Sequence, residues 1–520
     1  MDNHPSLTIM NDNISILSIV LAQPDRIIWI DERLLDMINN DNEFENNILN
    51  KDELDKKEAQ KKKQHRKHVN RGTSTTRRIA LGFLIVICIG TLLLSLPISV
   101  VGGESDFLTA LFTATTSVCV TGLVVVDTFS HWTIFGKIVI LILIQLGGLG
   151  VVVFTSTLLL VLGKKVTLKD RITIQDAFNL NNPKGMVVFI KKVVMGTLVV
   201  EGIGMLLYMI SFVPEFGFPK GAWFSLFNAV SAFCNAGMDI IGPNSLMDFN
   251  SSPAVLLTTA FLIFMGGIGF VVWFDFIDVI KQIKKGEVEI KDIFKKLGTH
   301  SKIVLSITLA LILIGWVLIF TFEYGNPATI GDMSLGDKLL NSLFQSITLR
   351  TAGFAAIDQG GLTDSSVLLC LIWMIIGGSP AGTAGGIKTV TVAVILFTVV
   401  SVIKGRKETV IFNKSVNPWL IRRVIAVTFI SLLGFVVLSI ALLMSNQVVL
   451  TDAIFETASA IGTVGLSRGI TSSLNTIGRI IIIIGMYLGR IGPISMLIAF
   501  NNNYTVKNSI HYAEAEIIVG

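Results

Sequence analysis

The chain has 520 residues, of which 52% are hydrophobic and only 15% are charged, and its mean hydropathy is +0.70. A soluble domain carries about 25% charged residues, so this composition excludes an ordinary soluble enzyme and predicts a protein that crosses a membrane several times. The net charge is only +5 and the four cysteines occur singly. We therefore expect no nucleic-acid partner, no disulfide framework and no structural zinc.

Eight apolar stretches are each long enough to cross a bilayer, which needs about 20 residues in a helix. Between the members of each pair lies a shorter apolar segment of about eleven residues, such as 107–117 or 223–233, which is too short to span. We expect these shorter segments to be re-entrant half-helices. The predicted spans are residues 79–101, 132–162, 187–213, 253–280, 303–322, 366–402, 424–445 and 477–500.

Four glycine-centred segments recur between these spans, and their glycines are separated by 115, 116 and 112 residues. They read TATTSVCVTGL, NAVSAFCNAGM, QSITLRTAGF and ETASAIGTVGL. A Phe precedes the glycine by ten positions in three segments and by nine in the third. Repetition at a nearly fixed period predicts one unit built four times. The glycines are Gly122, Gly237, Gly353 and Gly465, and the phenylalanines are Phe112, Phe227, Phe344 and Phe455.

The predicted fold is an all-α membrane protein of four M1-P-M2 pseudo-repeats, with eight spans and four re-entrant pore helices around one central pore. Here M1 and M2 are the two spans of a repeat, and P is the pore helix between them. We expect a cytoplasmic tail at residues 1–76, whose basic end meets lipid headgroups. Residues 27–38 are compatible with one amphipathic helix, although we favour a weakly ordered tail. The repeats are expected at 77–175, 176–298, 299–418 and 419–503, and a cytoplasmic C-terminal tail at 504–520.

Lysine and arginine are concentrated in the loops between repeats and are nearly absent from the loops that hold the glycine segments. Lys164, Lys285 and Arg406 are examples from the three loops between repeats. Cytoplasmic loops are enriched in these two residues. The pattern therefore predicts a multi-pass protein of the cell membrane with both termini in the cytoplasm and the glycine segments open to the outside.

The glycine segments have the layout of a cation filter. A dehydrated cation needs oxygen ligands, which backbone carbonyls supply when an extended loop follows a half-helix. Glycine allows the close approach that such a loop requires. Four turns that merely join spans would not need a half-length helix before each glycine, so we predict one site with four-fold coordination. The predicted filter residues are Val120, Thr121, Gly122, Asn235, Ala236, Gly237, Thr351, Ala352, Gly353, Thr463, Val464 and Gly465.

The second span of the third repeat contains GGSPAGTAGGIKT at residues 377–389. Five glycines and one proline interrupt a helix. Irregular backbone at membrane depth is tolerated only where it lines a cavity or is buried in protein. We expect a functional loop beneath the filter rather than a flexible kink, and we expect it to be the only irregular backbone in the spans. Its key residues are Gly377, Gly378, Ser379, Gly382, Thr383, Gly385 and Gly386.

Two arginines lie at membrane depth. Arg490 is inside the last predicted span, where a charged residue costs roughly 2.5–3.5 kcal/mol. We expect only the glycine-rich loop of the third repeat to offer spare carbonyls at a similar depth, and these would satisfy the guanidinium, so we place Arg490 in the pore below the filter. The alternative is that the side chain reaches the cytoplasmic headgroups. Arg350 is expected to bond to nearby backbone or to an acid such as Glu456.

The segments VCVTGL, FCNAGM, LRTAGF and GTVGLS resemble the filters of the Trk/Ktr/HKT superfamily of potassium transporters, which have one glycine per repeat. The resemblance is closest to bacterial KtrB-type membrane subunits and covers roughly residues 77–520. Cys234 departs from the pattern, since a polar residue such as Asn is expected there. The resemblance implies potassium uptake, with the glycine-rich loop as a gate and Arg490 in the pore.

The resemblance also implies a homodimer in which each chain has its own pore. This dimer would rest on a cytoplasmic ring of nucleotide-binding regulatory subunits of the KtrA type. The implied ion is potassium, and sodium remains open as a second ion. No organic cofactor is expected, and because the sequence has no nucleotide-binding fingerprint, the energy would come from ion gradients.

Two other function classes compete with potassium uptake. A secondary transporter of another cation or a small solute would have inverted repeats and broken spans at matching positions. Four parallel repeats and one broken span are expected here instead. A membrane enzyme would need an acid-base or metal cluster, and the six histidines pair with no membrane carboxylate or cysteine, so we expect no enzyme.

Overall fold

The computed structural model describes residues 21–23, 26–28, 77–104, 106–150, 153–154, 156–157 and 185–492. The chain divides into one unit of residues 73–502 and another of residues 1–72 with 503–520. In the second unit, strands β1 (Leu21–Gln23) and β2 (Arg26–Ile28) pair antiparallel. The amphipathic helix considered for residues 27–38 is therefore wrong at its start. The remainder of that segment and the expected C-terminal tail lie outside the described residues.

The described part of the large unit has four consecutive quarters, each containing one of the four glycine segments. The helices follow the same order in each quarter: a long helix, a half-length helix and a further apolar helix. The first half of the chain contains α1 (Arg77–Leu94), α2 (Phe107–Cys119), α3 (Thr128–His131), α4 (Ile134–Leu149), α5 (Met186–Phe216), α6 (Phe218–Cys234), α7 (Pro253–Gly267) and α8 (Phe270–Lys284). The second half contains α9 (Ile293–Lys296), α10 (Thr299–Glu323), α11 (Leu335–Thr348), α12 (Asp364–Ile375), α13 (Thr389–Ile403), α14 (Pro418–Ser445), α15 (Leu450–Gly462) and α16 (Thr476–Ile491), with a small hairpin of β3 (Val410–Ile411) and β4 (Lys414–Ser415).

Several helices have the length and composition of membrane helices. Among the described residues, α1, α5, α10 and α14 are each long and apolar enough to cross a membrane, and α7 with α8 forms a fifth candidate bent by 95°. In α14 only 17% of the most apolar window is buried inside the protein. Its outer face exposes Phe429 and Val437, which fits a lipid solvent that solvates apolar side chains.

The half-length helices α2, α6, α11 and α15 form the centre of the core. They contain 13, 17, 14 and 13 residues, which is longer than the segments of about eleven residues expected from the sequence. Asp106 begins α2 by accepting hydrogen bonds from the N–H groups of Leu108 and Thr109. The phenylalanine that precedes each glycine is at most 1% exposed, so the aligned aromatic residues pack inside all four quarters: Phe112, Phe227, Phe344 and Phe455.

Broken helices are not confined to the third quarter. There α12 ends at Ile375 and α13 begins at Thr389, as the glycine-rich segment predicts. In the second quarter, however, α7 ends at Gly267 and α8 begins at Phe270. The expectation that residues 377–386 are the only irregular backbone in the spans is therefore wrong.

The sequence carries a signal for this second break and a similar signal where α4 and α16 end. Each of the other three quarters has a short glycine cluster near the end of its second apolar helix: GGLG at 147–150, GGIG at 266–269 and GRIG at 489–492. The last glycine of each cluster has a positive φ, 86° at Gly150, 87° at Gly269 and 88° at Gly492. A glycine in such a conformation stops a helix at no steric cost.

Candidate cation-binding site

Each half-length helix leads into a backbone turn that repeats in all four quarters. The residue two positions before the glycine is left-handed, with φ 55° at Val120, 59° at Asn235, 65° at Thr351 and 52° at Thr463. Gly122, Gly237, Gly353 and Gly465 also have positive φ, at 96°, 63°, 81° and 98°. A left-handed non-glycine residue is uncommon and persists only where its surroundings enforce it. The four segments therefore have similar backbone conformations.

The four glycines lie against one another in a closed ring. A Cβ built on Gly122 would lie 2.6 Å from the carbonyl oxygen of Ala236 in the next segment. The other three contacts continue the cycle and return to the first segment: Gly237 to Ala352 O at 2.6 Å, Gly353 to Val464 O at 2.4 Å, and Gly465 to Thr121 O at 2.2 Å. Real Cβ contacts essentially never fall below 3.0 Å. A side chain at any of these glycines would thus displace the backbone of its neighbour.

A hydroxyl group near the end of each half-length helix closes the turn. Thr116 Oγ1 accepts a hydrogen bond from Gly122 N at 2.9 Å, and Ser459 Oγ accepts one from Gly465 N at 3.0 Å. In the second segment Ser231 Oγ accepts from Met238 N, and in the third Thr348 Oγ1 donates to Phe354 O at 2.7 Å. These bonds fix the extended segments to the helices that precede them.

Several side-chain oxygens beside the ring lack a partner. Within the described part of the chain, the hydroxyl oxygens of Thr121, Thr351 and Thr463 and both polar atoms of the Asn235 side chain are buried without a hydrogen bond. Buried polar atoms normally have one. The ring thus offers backbone carbonyls and neutral side-chain oxygens, which suit an alkali cation better than a transition metal. Of the residues described, no group of three or more His, Cys, Asp or Glu could hold a metal ion.

The third segment differs from the others because it contains Arg350. The side chain is buried, and its Nη2 lies 3.3 Å from Thr308 Oγ1. The expected contact with Glu456 is wrong, because among the described residues the guanidinium bonds to Thr308 and Glu456 accepts instead from Ser467 at 2.8 Å and from Thr471. The guanidinium instead borders a small cavity beside α7 and α10, lined by Ile263, Phe264, Gly267, Ile312 and Ile347.

The glycine-rich connection between α12 and α13 bonds to the break between α7 and α8. Ser379 N donates to Gly267 O at 2.9 Å, and Thr383 N donates to Gly266 O at 3.2 Å. In return, Phe270 N donates to Ala381 O at 3.0 Å. Each break therefore satisfies backbone groups that the other leaves free, which allows irregular backbone at membrane depth.

This connection also lies directly against the ring segments. A Cβ on Gly385 would be 2.0 Å from Thr463 Oγ1, and Thr383 Oγ1 donates to Phe233 O at 3.1 Å. Gly377 N donates to Ile387 O at 2.9 Å, which ties the two ends of the loop together. All of the loop residues expected from the sequence fall in this compact stretch: Gly377, Gly378, Ser379, Gly382, Thr383, Gly385 and Gly386.

Arg490 joins the loop to the first quarter. Its Nη1 donates to Thr383 O, and its Nη2 donates to Gly147 O and, at 3.3 Å, to Gly148 O. The expectation that only the third-quarter loop offers spare carbonyls is wrong. The end of α4 leaves its own last carbonyls without helical partners. The guanidinium therefore bonds both to these carbonyls and to the loop carbonyl of Thr383.

Lys388 is a second basic residue that bonds to the loop carbonyls, and the sequence argument did not single it out. Its Nζ donates to Ala384 O at 2.6 Å and lies 3.4 Å from Gly385 O. The signal that could have identified it is a lysine inside an otherwise apolar segment, which marks a residue whose charge needs a partner.

One carboxyl group lies just beyond the ring. Asp239 follows Gly237 by two residues, and its Oδ1 accepts a hydrogen bond from Ile241 N at 3.4 Å. Burial raises the pKa of the Asp239 carboxyl to about 6. This group therefore changes its charge within the range of pH that cells encounter.

Comparison with known proteins identifies the family of this chain. The family described as "TrkH: Cation transport protein" matches residues 55–512. The chain belongs to the TrkH family. A Ktr system potassium uptake protein B from Bacillus subtilis (strain 168) is 40% identical over 442 residues, covering 85% of this chain and 96% of that protein. The potassium/sodium uptake protein NtpJ of Enterococcus hirae is 35% identical over 464 residues, covering 88% and 99%.

A solved structure shows the fold of this TrkH-family protein independently of close sequence similarity. The crystal structure of the potassium transporter TrkH from Vibrio parahaemolyticus superposes with a TM-score of 0.62 at 17% identity, covering 82% of this chain and 84% of that one. The resemblance to Trk/Ktr proteins is confirmed. The chain is a membrane transporter of this family and not an enzyme.

Proposed function

We propose that this protein takes up potassium across the cell membrane through the ring of four glycine segments. The observation that carries the proposal is the closed cycle of contacts among Gly122, Gly237, Gly353 and Gly465. The relatives named as potassium uptake proteins support the choice of ion. The test is potassium uptake by the full chain in a host that lacks its own uptake systems, with sodium as the competing ion. Failure to restore uptake would reject the proposal.

The proposed architecture is four M1-P-M2 repeats around one pore, with eight spans and four re-entrant helices. In this arrangement α2, α6, α11 and α15 are the pore helices, and the helices on either side of each are its spans. The basic loops, such as the one at Lys285, face the cytoplasm, as do both termini. The repeat boundaries proposed from the sequence remain 77–175, 176–298, 299–418 and 419–503.

The proposed filter acts through backbone carbonyls. Carbonyl oxygens of Thr121, Ala236, Ala352 and Val464 replace the water of a potassium ion that enters from outside. The C-terminal ends of the pore helices add partial negative charge at the same place. The driving force is the membrane potential, which contributes about 2.3 kcal/mol per charge per 100 mV.

The proposed gate is the loop of residues 376–388 with Arg490. Contacts of this loop with Thr463 and Phe233 support a gate next to the ring. Hydrogen bonds from Arg490 and Lys388 hold loop carbonyls in the closed position, and the charge of Arg490 opposes the passage of another cation by repulsion. Potassium passes when the loop withdraws and the Arg490 contacts break.

We further propose a homodimer with one pore in each chain, regulated by a cytoplasmic ring of nucleotide-binding subunits of the KtrA type. The similarity to Ktr system proteins supports this partner. Sodium as an additional transported ion is supported only by the name of NtpJ.

A secondary transporter for another cation or a small solute remains the second candidate. The additional break between α7 and α8 favours it, because such transporters have broken helices at matching positions in two repeats. Each ring segment nevertheless makes the same contact with the next one in a cycle, which favours four repeats of one orientation, whereas the repeats of those transporters are commonly inverted in the membrane. A chain that transports an organic cation in preference to potassium would support this alternative.

A further inference from the structure

An acidic side chain lies inside α5, behind the second glycine segment. Glu201 is 5% exposed and sits in the middle of a helix that is apolar and long enough to cross a membrane. A carboxyl group at such a position is costly and marks a functional residue by default. The potassium pathway proposed above does not use it, because Glu201 belongs to an outer helix and not to the ring.

Glu201 contacts one residue of the first quarter. Gln145 on α4 donates a hydrogen bond from Nε2 to Glu201 Oε2 at 3.3 Å. Through its other end, Gln145 Oε1 accepts from the thiol of Cys234 at 3.6 Å. A chain of polar contacts thus runs from Glu201 through Gln145 to Cys234.

Cys234 is the last residue of the second pore helix, and Asn235 begins the filter segment with φ 59°. Gly148, three residues after Gln145, packs so closely that a Cβ there would lie 2.4 Å from Cys234 Sγ. Residues three apart lie on the same face of a helix. The thiol is therefore held between Gln145 and Gly148, both on α4.

The orientation of the Gln145 amide depends on Glu201. An amide has a donor end and an acceptor end, and only the oxygen can accept from the Cys234 thiol. Oε2 of Glu201 accepts from Nε2 of Gln145, and this contact holds the donor end of the amide toward Glu201. Among the described residues, Glu201 Oε1 and the nearby Thr197 Oγ1 have no hydrogen-bond partner, so Gln145 is the contact through which Glu201 acts.

We infer that Glu201 is a positioning residue for ion selectivity, which orients Gln145 so that Gln145 and Gly148 fix Cys234 and the second filter segment. This inference rests on the proposed filter function. The second segment is held from outside its own repeat, because Gln145 and Gly148 belong to the first quarter. The loss of Glu201 frees the amide to turn, and the Asn235–Gly237 carbonyls lose their fixed distance from the ion.

The test compares potassium and sodium uptake by the full-length protein in membranes. Glu201→Ala should lower the preference for potassium about threefold to fivefold, the effect of losing a buried hydrogen bond. Glu201→Gln should remain within about twofold of the parent protein, because its amide oxygen still accepts from Gln145. Glu215→Ala, at the exposed end of the same helix, is the matched control and should change nothing.

A double substitution tests the relay itself. Cys234→Ala should cause a loss similar to that of Glu201→Ala, and the combined variant should lose no more than either alone, because both act on one contact chain. Additive losses would overturn the relay, as would a Glu201→Gln loss as large as that of Glu201→Ala. Unchanged selectivity in a folded Glu201→Ala protein would also overturn it.

Gly237→Ser separates this inference from the filter proposal. If Gly237→Ser keeps the potassium preference, the filter proposal fails and the inference fails with it. If Gly237→Ser loses the preference while Glu201→Ala keeps it, only the role of Glu201 is rejected. If Glu201→Ala does not fold, Cys234→Ala beside Cys234→Ser decides, since Ser keeps a donor for Gln145 and should restore selectivity.

Discussion

The glycine ring and the level beneath it are built in opposite ways. In the ring, four segments repeat the same backbone angles and the same contact with the next segment. Beneath it, the interruption is two residues long between α7 and α8 but occupies residues 376–388 between α12 and α13. Four equivalent segments suit a site where one ion meets four equal sets of oxygens. Interruptions of unequal length suit a gate, because one long loop can move while the neighbouring helices stay in place.

The largest expected effect is on ion selectivity and comes from substitutions in the glycine ring. Replacing Gly122, Gly237, Gly353 or Gly465 by Ser should reduce the preference for potassium over sodium by tenfold or more, which corresponds to about 1.4 kcal/mol per tenfold. A Cβ there would displace a neighbouring carbonyl and would also occupy a strained positive φ. The measurement is the ratio of potassium to sodium uptake.

Gly202→Ser provides the control for the glycine series. This glycine lies in α5, and nothing is within 4 Å of a Cβ built on it. Its selectivity should equal that of the parent protein. If only one of the four ring variants lost the preference for potassium, the four segments would not be equivalent.

The second prediction concerns the loop of residues 376–388 beneath the ring. Deleting residues 381–383 removes the loop carbonyl that accepts from Arg490 and two of the three backbone bonds to the α7–α8 break. Potassium flux should rise about tenfold, as expected when a barrier falls by about 1.4 kcal/mol. A deletion of residues 405–407, in an exposed loop, should leave flux unchanged. Lower flux in the folded 381–383 deletion would contradict a gate.

A smaller rise in flux is expected from Arg490→Gln. The change keeps hydrogen-bond donors for Thr383 O and Gly147 O but removes the positive charge, so flux should rise a few-fold, roughly 1 kcal/mol of lost repulsion. Arg479→Gln, in the same helix but bonded to Leu474 O and Ser472 O, serves as the control. If Arg490→Gln lowers flux in a folded protein, the charge is not a barrier.

The smallest effect concerns the outer side of the ring. The pKa of Asp239 is raised to about 6, so its carboxylate loses its charge as the pH falls through that value. The potassium concentration for half-maximal uptake should then rise about twofold between pH 7 and pH 5, because an anion that attracts cations is lost. Asp239→Asn should remove this pH dependence, whereas the exposed Asp248→Asn should retain it. An unchanged pH profile in Asp239→Asn would reject the role.

The sequence predicted the glycine ring better than it predicted the helix breaks beneath the ring. The spacing of the four glycines and their phenylalanines was sufficient to place the segments in one ring, because repetition is visible along a chain. The breaks at 266–269 and at the end of α4 were missed, since a two-residue interruption resembles tolerated helical glycine. The contact of Arg490 with Gly147 and the correct partner of Arg350 depend on which helices meet in space. One sequence alone does not contain that information.

The central claim is that the four segments form one potassium site. The most direct measurement is anomalous diffraction from crystals of the protein grown with rubidium, an ion close to potassium in size. The account predicts a peak at the centre of the ring, bounded by the carbonyl oxygens of Thr121, Ala236, Ala352 and Val464, and its loss in Gly465→Ser. Rubidium bound elsewhere in the protein with an empty ring would contradict the claim.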